Sequence, residues 1–250
     1  MDDHSFARFA ADATGIRLLQ VRSRITGASP ALLGMAGDRA AQVLLARLLR
    51  EHRPGDAVLS EEAPDDPARL HADRVWIIDP LDGTREFGEP PRDDWAVHVA
   101  LWEKNRLTAG AIALPARALV LSTGEHPPAP PTRAGPVKML VSRTRPPPFA
   151  EQLADILGAR VVRQGSAGAK TADVLLGAAG LYLQAGGQHE WDSAAPAAVA
   201  QARGFHTSRL DGSPLTYNHP DPLLPDLLIC RTELASRVLT ACALINYQCL

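Results

Sequence analysis

The string Val75-Trp76-Ile77-Ile78-Asp79-Pro80-Leu81-Asp82-Gly83-Thr84 limits the possible folds more than any other part of the chain. Its apolar start is the pattern of a strand buried on both faces, which requires other layers of structure around it. Such a strand delivers Asp79 at its C-terminal end. Pro80 is expected to stop the ladder and fix the next turn. Asp82 then returns a second carboxylate to the same small volume. Gly83 lets the backbone approach a ligand closely, and Thr84 presents an N–H and a hydroxyl. A helix beginning near Thr84 turns free N–H groups toward an anion.

Two crowded carboxylates are costly unless a cation lies between them. Mg²⁺ suits the pattern, because it takes hard oxygen ligands and keeps waters and a substrate phosphate. The Leu81 carbonyl is placed to complete the set. A lone Asp-Gly is an ordinary turn, and a lone Asp79 an ordinary helix cap. The whole string is what points to metal chemistry. Phosphatases that work through an aspartyl-phosphate separate their acids by one residue, whereas Asp79 and Asp82 are separated by two. A metal-activated water is therefore preferred to a nucleophilic Asp.

Helical spacing of Phe6, Phe9, Ala10, Ala13, Ile16 and Gln20 predicts a first helix. A Gly/Pro/Ser-marked break is expected from Gly27 to Gly37, then a second helix from Asp38 to His52. Ala57–Leu59 and Val75–Ile78 read as buried strands, and Ala96–Leu101, Thr108–Leu114 and Ala118–Ser122 as an antiparallel meander. Beyond the Pro-rich stretch, Val137–Val141 reads as a strand and Phe149–Leu157 as a helix. Val161–Val162, Lys170–Leu176 and Leu181–Leu183 continue the alternation. Ser193–Ala202 reads as an Ala-rich helix, Leu227–Cys230 as a strand and Glu233–Leu244 as a closing helix. The expectation is a layered α/β sandwich. It divides into an N-terminal α+β subdomain over 1–125, a Pro-rich connection over 126–136 and a C-terminal α/β subdomain over 137–250.

Bulk properties narrow the function. The chain has 250 residues, 46% of them hydrophobic, and a formal net charge of −2, which suits a globular core and gives no support for a nucleic-acid or membrane partner. No apolar run is long enough to span a bilayer, and the N-terminus is acidic where a secretory signal is basic. Cys230, Cys242 and Cys249 lack metal-ligand spacing and read as reduced thiols, so a cytoplasmic location is expected.

Further acids join the first pair. Glu61 follows a predicted strand and can bind metal or deprotonate a water; its plain alternative is a solvated acid beside Glu62. Asp192, just before the Ala-rich helix, fits an N-cap and a metal ligand equally. Trp191 can pack beneath the site. Asp38 is an ordinary first-turn acid that could also reach an outer, third metal. Ser142, Arg143, Ser166 and Lys170 together are candidate ligands for a second phosphate or a sugar, although each alone reads as a surface or capping residue.

These strings resemble the inositol monophosphatase superfamily of lithium-sensitive, Mg²⁺-dependent phosphatases. Val58–Pro90 and His189–Ala198 carry a closer likeness to its CysQ-type 3′(2′),5′-bisphosphate nucleotidases, in their actinobacterial form. The resemblance implies the αβαβα sandwich of the inositol monophosphatase and sugar phosphatase type. It implies metal ligands at Glu61, Asp79, the Leu81 carbonyl, Asp82 and Asp192 around two Mg²⁺ ions, with Asp38 available to a third. It places the phosphate cradle at Gly83 and Thr84 and the catalytic roles on Glu61, Thr84 and Asp82. Glu61, Leu81, Asp82, Gly83, Thr84 and Asp192 also bind substrate in that reading, joined by Ser142, Arg143, Ser166 and Lys170.

The implied substrate is 3′-phosphoadenosine 5′-phosphate or its sulfated form, which connects the chain to sulfate assimilation. Inositol phosphates, fructose bisphosphate and a broad range of sugar phosphates are the alternatives within the class. A catalytically idle sensor of phosphorylated metabolites is the alternative outside it. A homodimer is implied too, with no interface legible. Many relatives carry Asp-x-Ser-Pro-Val-Thr where this chain has Thr26–Leu32 without the acid, which removes a ligand for a third metal or a mobile lid.

Overall fold

A computed structural model describes residues 1–125, 127, 130–131 and 135–245. The expected connection over 126–136 therefore lies partly outside the described residues, and Cys249 lies wholly outside them. The order of elements is α1 (Asp3–Arg24), α2 (Pro30–His52), β1 (Ala57–Ser60), β2 (Arg74–Asp82), α3 (Thr84–Gly88), β3 (Ala96–Glu103), β4 (Arg106–Leu114) and β5 (Leu119–Ser122). Then come β6 (Val137–Ser142), α4 (Ala150–Leu157), β7 (Ala159–Gln164), α5 (Ala167–Leu175), β8 (Leu181–His189), α6 (Glu190–Ala202), β9 (His206–Ser208), β10 (Leu223–Cys230) and α7 (Thr232–Leu244).

Two five-stranded sheets, ordered β1-β2-β3-β4-β5 and β7-β6-β8-β10-β9, form the second and fourth of five layers. Alternation along β2 shows how the layers arise. Trp76 and Ile78 pack outward with Phe6, Leu18 and Leu45 of α1 and α2. Val75 and Ile77 pack inward with Ala172 of α5 and with Ala195 and Val199 of α6. The same inner core takes Leu140, Tyr182 and Ile229 from the second sheet. Leu153 of α4 and Val238 of α7 cover that sheet's far face. A strand buried on both faces can afford no polar alternation, which explains its unbroken apolar run. The architecture is the αβαβα sandwich. No helix among the described residues is long and apolar enough to cross a membrane.

Three local readings need correction. The break expected over Gly27–Gly37 is helical from Pro30, capped by Ser29, whose hydroxyl accepts from Leu32 N at 3.3 Å. Gly34 and Gly37 are contact residues and not breakers. A Cβ on Gly34 would sit 2.7 Å from Thr84 Cγ2, and one on Gly37 2.7 Å from the Phe87 ring. The buried face of α1 is also rotated from the expected one: Ala7, Ala10, Ala11, Thr14 and Leu18 are buried, while Phe9 and Ile16 are 40% and 51% exposed. Phe6 and Leu18 stay buried at its two ends, but its middle is small because a Cβ on Gly15 would already lie 2.5 Å from Pro115 Cγ.

Finally, Pro80 does not end β2. The ladder to β3 pairs Asp79 with His98 and resumes at Asp82 with Ala96, three steps on one strand against two on the other. Pro80 and Leu81 form a bulge, the place in a sheet where a proline's missing N–H does no harm.

Candidate metal and phosphate site

The bulge brings two carboxylates to one side, and two other elements add to them. Glu61 follows β1, which runs parallel to β2, and its N–H reaches Ile78 O at 3.4 Å. Asp192 enters from α6. That helix starts at Glu190, three residues earlier than expected, so Asp192 is not its N-cap. It occupies the third helical position, and its Oδ2 accepts from His189 N at 2.6 Å. One carboxylate oxygen each from Asp79, Asp82 and Asp192 come within 4.8 Å of one another. They line a cavity of about 430 Å³ that Glu61, Leu81, Gly83 and Thr84 also line.

Crowding acids in a buried place raises their pKa values. Asp79 is 1% exposed; burial, then the Glu61 and Asp82 charges, push its carboxyl well above the usual range. Burial and the Asp82 charge take Asp192 to about 6. Glu61 keeps open surface, yet its carboxyl end is crowded by the cavity wall and by Asp192, which together push it to about 7. Asp82 goes the other way. Burial raises it, but His98, Lys170 and Ser166 outweigh burial and hold it at about 2. Its Oδ2 accepts from Ser166 Oγ at 2.5 Å and from Gly168 N at 2.9 Å.

The donor chemistry fits a hard divalent cation. Asp79 Oδ1 accepts from Leu81 N at 3.0 Å, while its buried Oδ2 has no hydrogen-bond partner among the described residues. An orphaned buried carboxylate oxygen beside two further acids is a costly arrangement that a cation relieves.

The remaining expected residues divide by what they touch. Gly83 has φ +88°, a left-handed turn that aims Thr84 into the start of α3. Thr84 Oγ1 lies 3.1 Å from Asp38 Oδ1 and 3.2 Å from Leu81 O. Asp38 thus meets the acidic group through Thr84 and is not one of the three clustered carboxylates. Burial, then the Glu62 charge, raise it to about 6 against the pull of that hydroxyl.

Ser142, Arg143, Ser166 and Lys170 all line the cavity. Arg143, however, is held 2.7 Å from Glu86 Oε1 and 3.4 Å from Glu89 Oε2. Lys170 is buried and donates to the carbonyls of Gly165 and Ser166, the latter at 3.0 Å. Burial lowers it to about 8 even though Asp82 and Glu86 oppose the shift. Trp191, half-buried, stacks on His189 with ring centroids 4.6 Å apart.

Sequence reasoning missed the residues that hold these groups in place. His98 of β3 is fully buried. Its Nδ1 lies 3.2 Å from Trp191 O, and its Nε2 is 3.2 Å from Asp82 Oδ2, an ion-pair distance without hydrogen-bond alignment. One ring therefore spans the β2 bulge and the start of α6. The signal was a single histidine interrupting the apolar run Ala96–Leu101. Gly168 makes room for it, since a Cβ there would sit 2.3 Å from Nε2. Gly165 is similarly confined, since a Cβ there would sit 2.4 Å from Glu86 Cγ. Glu190, 1% exposed, accepts from Asn218 N and His219 N at 2.7 and 2.8 Å and fastens the start of α6.

Comparisons with known proteins agree with this geometry. A model of the inositol monophosphatase family matches residues 27–243. The chain is 55% identical over 237 residues to the 3′-phosphoadenosine 5′-phosphate phosphatase of Mycobacterium tuberculosis, covering 92% of this chain and 89% of that one. It is 30% identical over 200 residues to the 3′(2′),5′-bisphosphate nucleotidase CysQ of Escherichia coli K12, covering 76% and 81%. Among solved structures, CysQ from Bacteroides thetaiotaomicron superposes with a TM-score of 0.77 at 25% identity, over 91% of this chain and 96% of that one.

Proposed function

Because the chain belongs to the inositol monophosphatase family, we propose that it is a magnesium-dependent phosphomonoesterase acting on 3′-phosphoadenosine 5′-phosphate or its sulfated form. Removal of the 3′-phosphate gives AMP or adenylyl sulfate, which ties the protein to sulfate assimilation. The observation that carries this reading is the meeting of Asp79, Asp82 and Asp192 within 4.8 Å. The family is metal-dependent, and an acid cluster with an orphaned oxygen is what such dependence requires.

In this reading Glu61, Asp79, the Leu81 carbonyl, Asp82 and Asp192 would hold two magnesium ions, which when bound would supply positive charge for the phosphate and lower the pKa of the attacking water. Thr84 has one hydroxyl proton, directed at Asp38 Oδ1 or Leu81 O, so its lone pairs are left to accept from that water. Glu61, which lines the cavity beside Thr84, would be the base that takes the proton. Attack on phosphorus then breaks the bond to the ribose 3′-oxygen, which leaves with the bonding electron pair and takes a proton from solvent to become the 3′-hydroxyl, while Glu61 returns its proton to solvent. Most of the rate comes from positioning and electrostatics, as is general for phosphoryl transfer. Cys230 and Cys242, free and buried, suit the cytoplasm.

The test is phosphate release from 3′-phosphoadenosine 5′-phosphate, its sulfated form, inositol 1-phosphate and fructose 1,6-bisphosphate, with and without Mg²⁺ and lithium. We expect Mg²⁺-dependent, lithium-suppressed release that favours the nucleotides. Preference for a sugar phosphate would reassign the substrate. Tight nucleotide binding without release would make the protein a sensor. Gel filtration of the same sample reads out the expected homodimer.

A further inference from the structure

The phosphatase reading leaves one question that the site itself addresses: what meets the substrate's second anionic group. Four cationic side chains line the cavity, Arg85, Arg143, Arg145 and Lys170. Arg143 is neutralised by Glu86 and Glu89, and Lys170 is bound to backbone carbonyls. The two arginines that remain have no side-chain hydrogen bond or ion pair among the described residues.

Arg145 differs from Arg85 in being seated. It lies just beyond β6, in a turn closed by its N–H to Ser142 Oγ at 3.1 Å. Its guanidinium rests over Gly187: a Cβ there would meet Nη1 at 2.8 Å, Cζ at 3.4 Å and Cδ at 3.9 Å. Gly186 and Gly187 are both left-handed, with φ +73° and +67°, in the stretch where the β8–β10 register shifts between Leu224 and Asp226. Only glycine takes that backbone easily, and only glycine admits the guanidinium. The seat is therefore built into β8, three residues before α6 begins.

From this seat the guanidinium lines the same cavity as Asp79, Asp82 and Asp192. An unpaired guanidinium is a planar fork that matches phosphate oxygens in pairs. We infer that Arg145, seated on Gly187, receives the non-scissile 5′-phosphate or 5′-phosphosulfate and makes the enzyme prefer bisphosphorylated nucleosides to 3′-monophosphates. The inference rests on the phosphatase reading above. It assigns the second anion to a residue that the sequence pattern did not single out, and not to Arg143.

The experiment compares kcat and KM for 3′-phosphoadenosine 5′-phosphate, its sulfated form and adenosine 3′-monophosphate in wild type, Arg145→Gln, Arg145→Lys and Arg85→Gln. Arg145 is exposed, so its variants should fold, which thermal unfolding checks. We expect Arg145→Gln to raise KM for the bisphosphate about tenfold or more, the scale of one lost charge-assisted contact. The loss for the monophosphate should be much smaller, and Arg145→Lys should recover part of the difference.

Comparing the phosphate with the phosphosulfate shows which 5′ group the fork prefers. Equal losses on all three substrates, no loss, or discrimination lost in Arg85→Gln alone would overturn the assignment while leaving the phosphatase standing. Wild-type protein inert toward every 3′-phosphonucleotide would remove both.

Discussion

The two ends of the cavity are built in opposite ways. At the acidic end Asp79, Asp82, Thr84 and Asp192 hang on the β2 bulge, the left-handed turn at Gly83 and the first turn of α6, and only Glu61, just after β1, keeps open surface. Its acids also have structural duties, Asp192 accepting from His189 N and Asp82 from Ser166 and Gly168. At the basic end, Arg143 and Arg145 stand on a turn after β6 whose residues Thr144 and Arg145 are exposed. The contrast teaches where rigidity is needed. Charges that clamp the reacting phosphate must be fixed before the substrate arrives. A charge that selects the far end of the substrate can sit on a surface turn, provided its seat is shaped.

The sharpest way to break this contrast is to neutralise the acidic end. Asp82→Asn keeps the side chain's shape but weakens the hydrogen bonds from Ser166 and Gly168, so the melting temperature should drop modestly while turnover falls by at least about a hundredfold, as for loss of one major electrostatic element. Normal phosphate release by that variant would take Asp82 out of the mechanism.

The join between the two ends is the next target. Gly165→Ala places a Cβ 2.4 Å from Glu86 Cγ and 2.8 Å from Asp94 O, so the Glu86–Arg143 lock must shift. Overpacking of this kind costs about 1–3 kcal/mol, readable by urea unfolding. An unchanged midpoint would mean that the close approach is not needed.

A smaller effect sharpens the comparison through pH. Carboxyls whose folded pKa is raised bind more protons folded than unfolded, so the stability of metal-stripped protein falls as pH rises. The window runs from the ordinary values of 3.8 for Asp and 4.5 for Glu through about 6 for Asp192 and about 7 for Glu61. Differential scanning calorimetry should therefore show chelated protein melting a few degrees (~2–4 °C per kcal/mol at this size) lower at pH 8 than at pH 5.5. Added Mg²⁺ should restore more at pH 8. Equal melting at both values without metal would mean that the acids are not held together in the free protein.

Much of the acidic end was legible along the chain because its donors sit inside one short string and two flanking ones. Asp79, Leu81, Asp82, Gly83 and Thr84 fall within six consecutive residues, and the buried strand before them announces itself by its apolar run. Element boundaries were less legible. Gly34 and Gly37 look like helix breakers in isolation, and only their contacts with Thr84 and Phe87 reveal why a helix keeps them. Phe9 and Ile16 drew the α1 face toward themselves, although close packing on β4 favours the smaller residues.

The basic end could not be sorted in this way. Arg143 and Arg145 are two arginines in one turn, and nothing local says which of them is neutralised. That depends on Glu86, far back in the chain, and on Gly187, far ahead. His98 is the same case, since its role exists only where β3 meets α6.

The sequence by itself determined the donor set that a hard-cation phosphate site calls for, because ligand chemistry is a property of residue types and of spacing within a turn. Which charges face each other across the cavity was decided only by the tertiary structure, because electrostatic pairing depends on distance in space and not on distance along the chain.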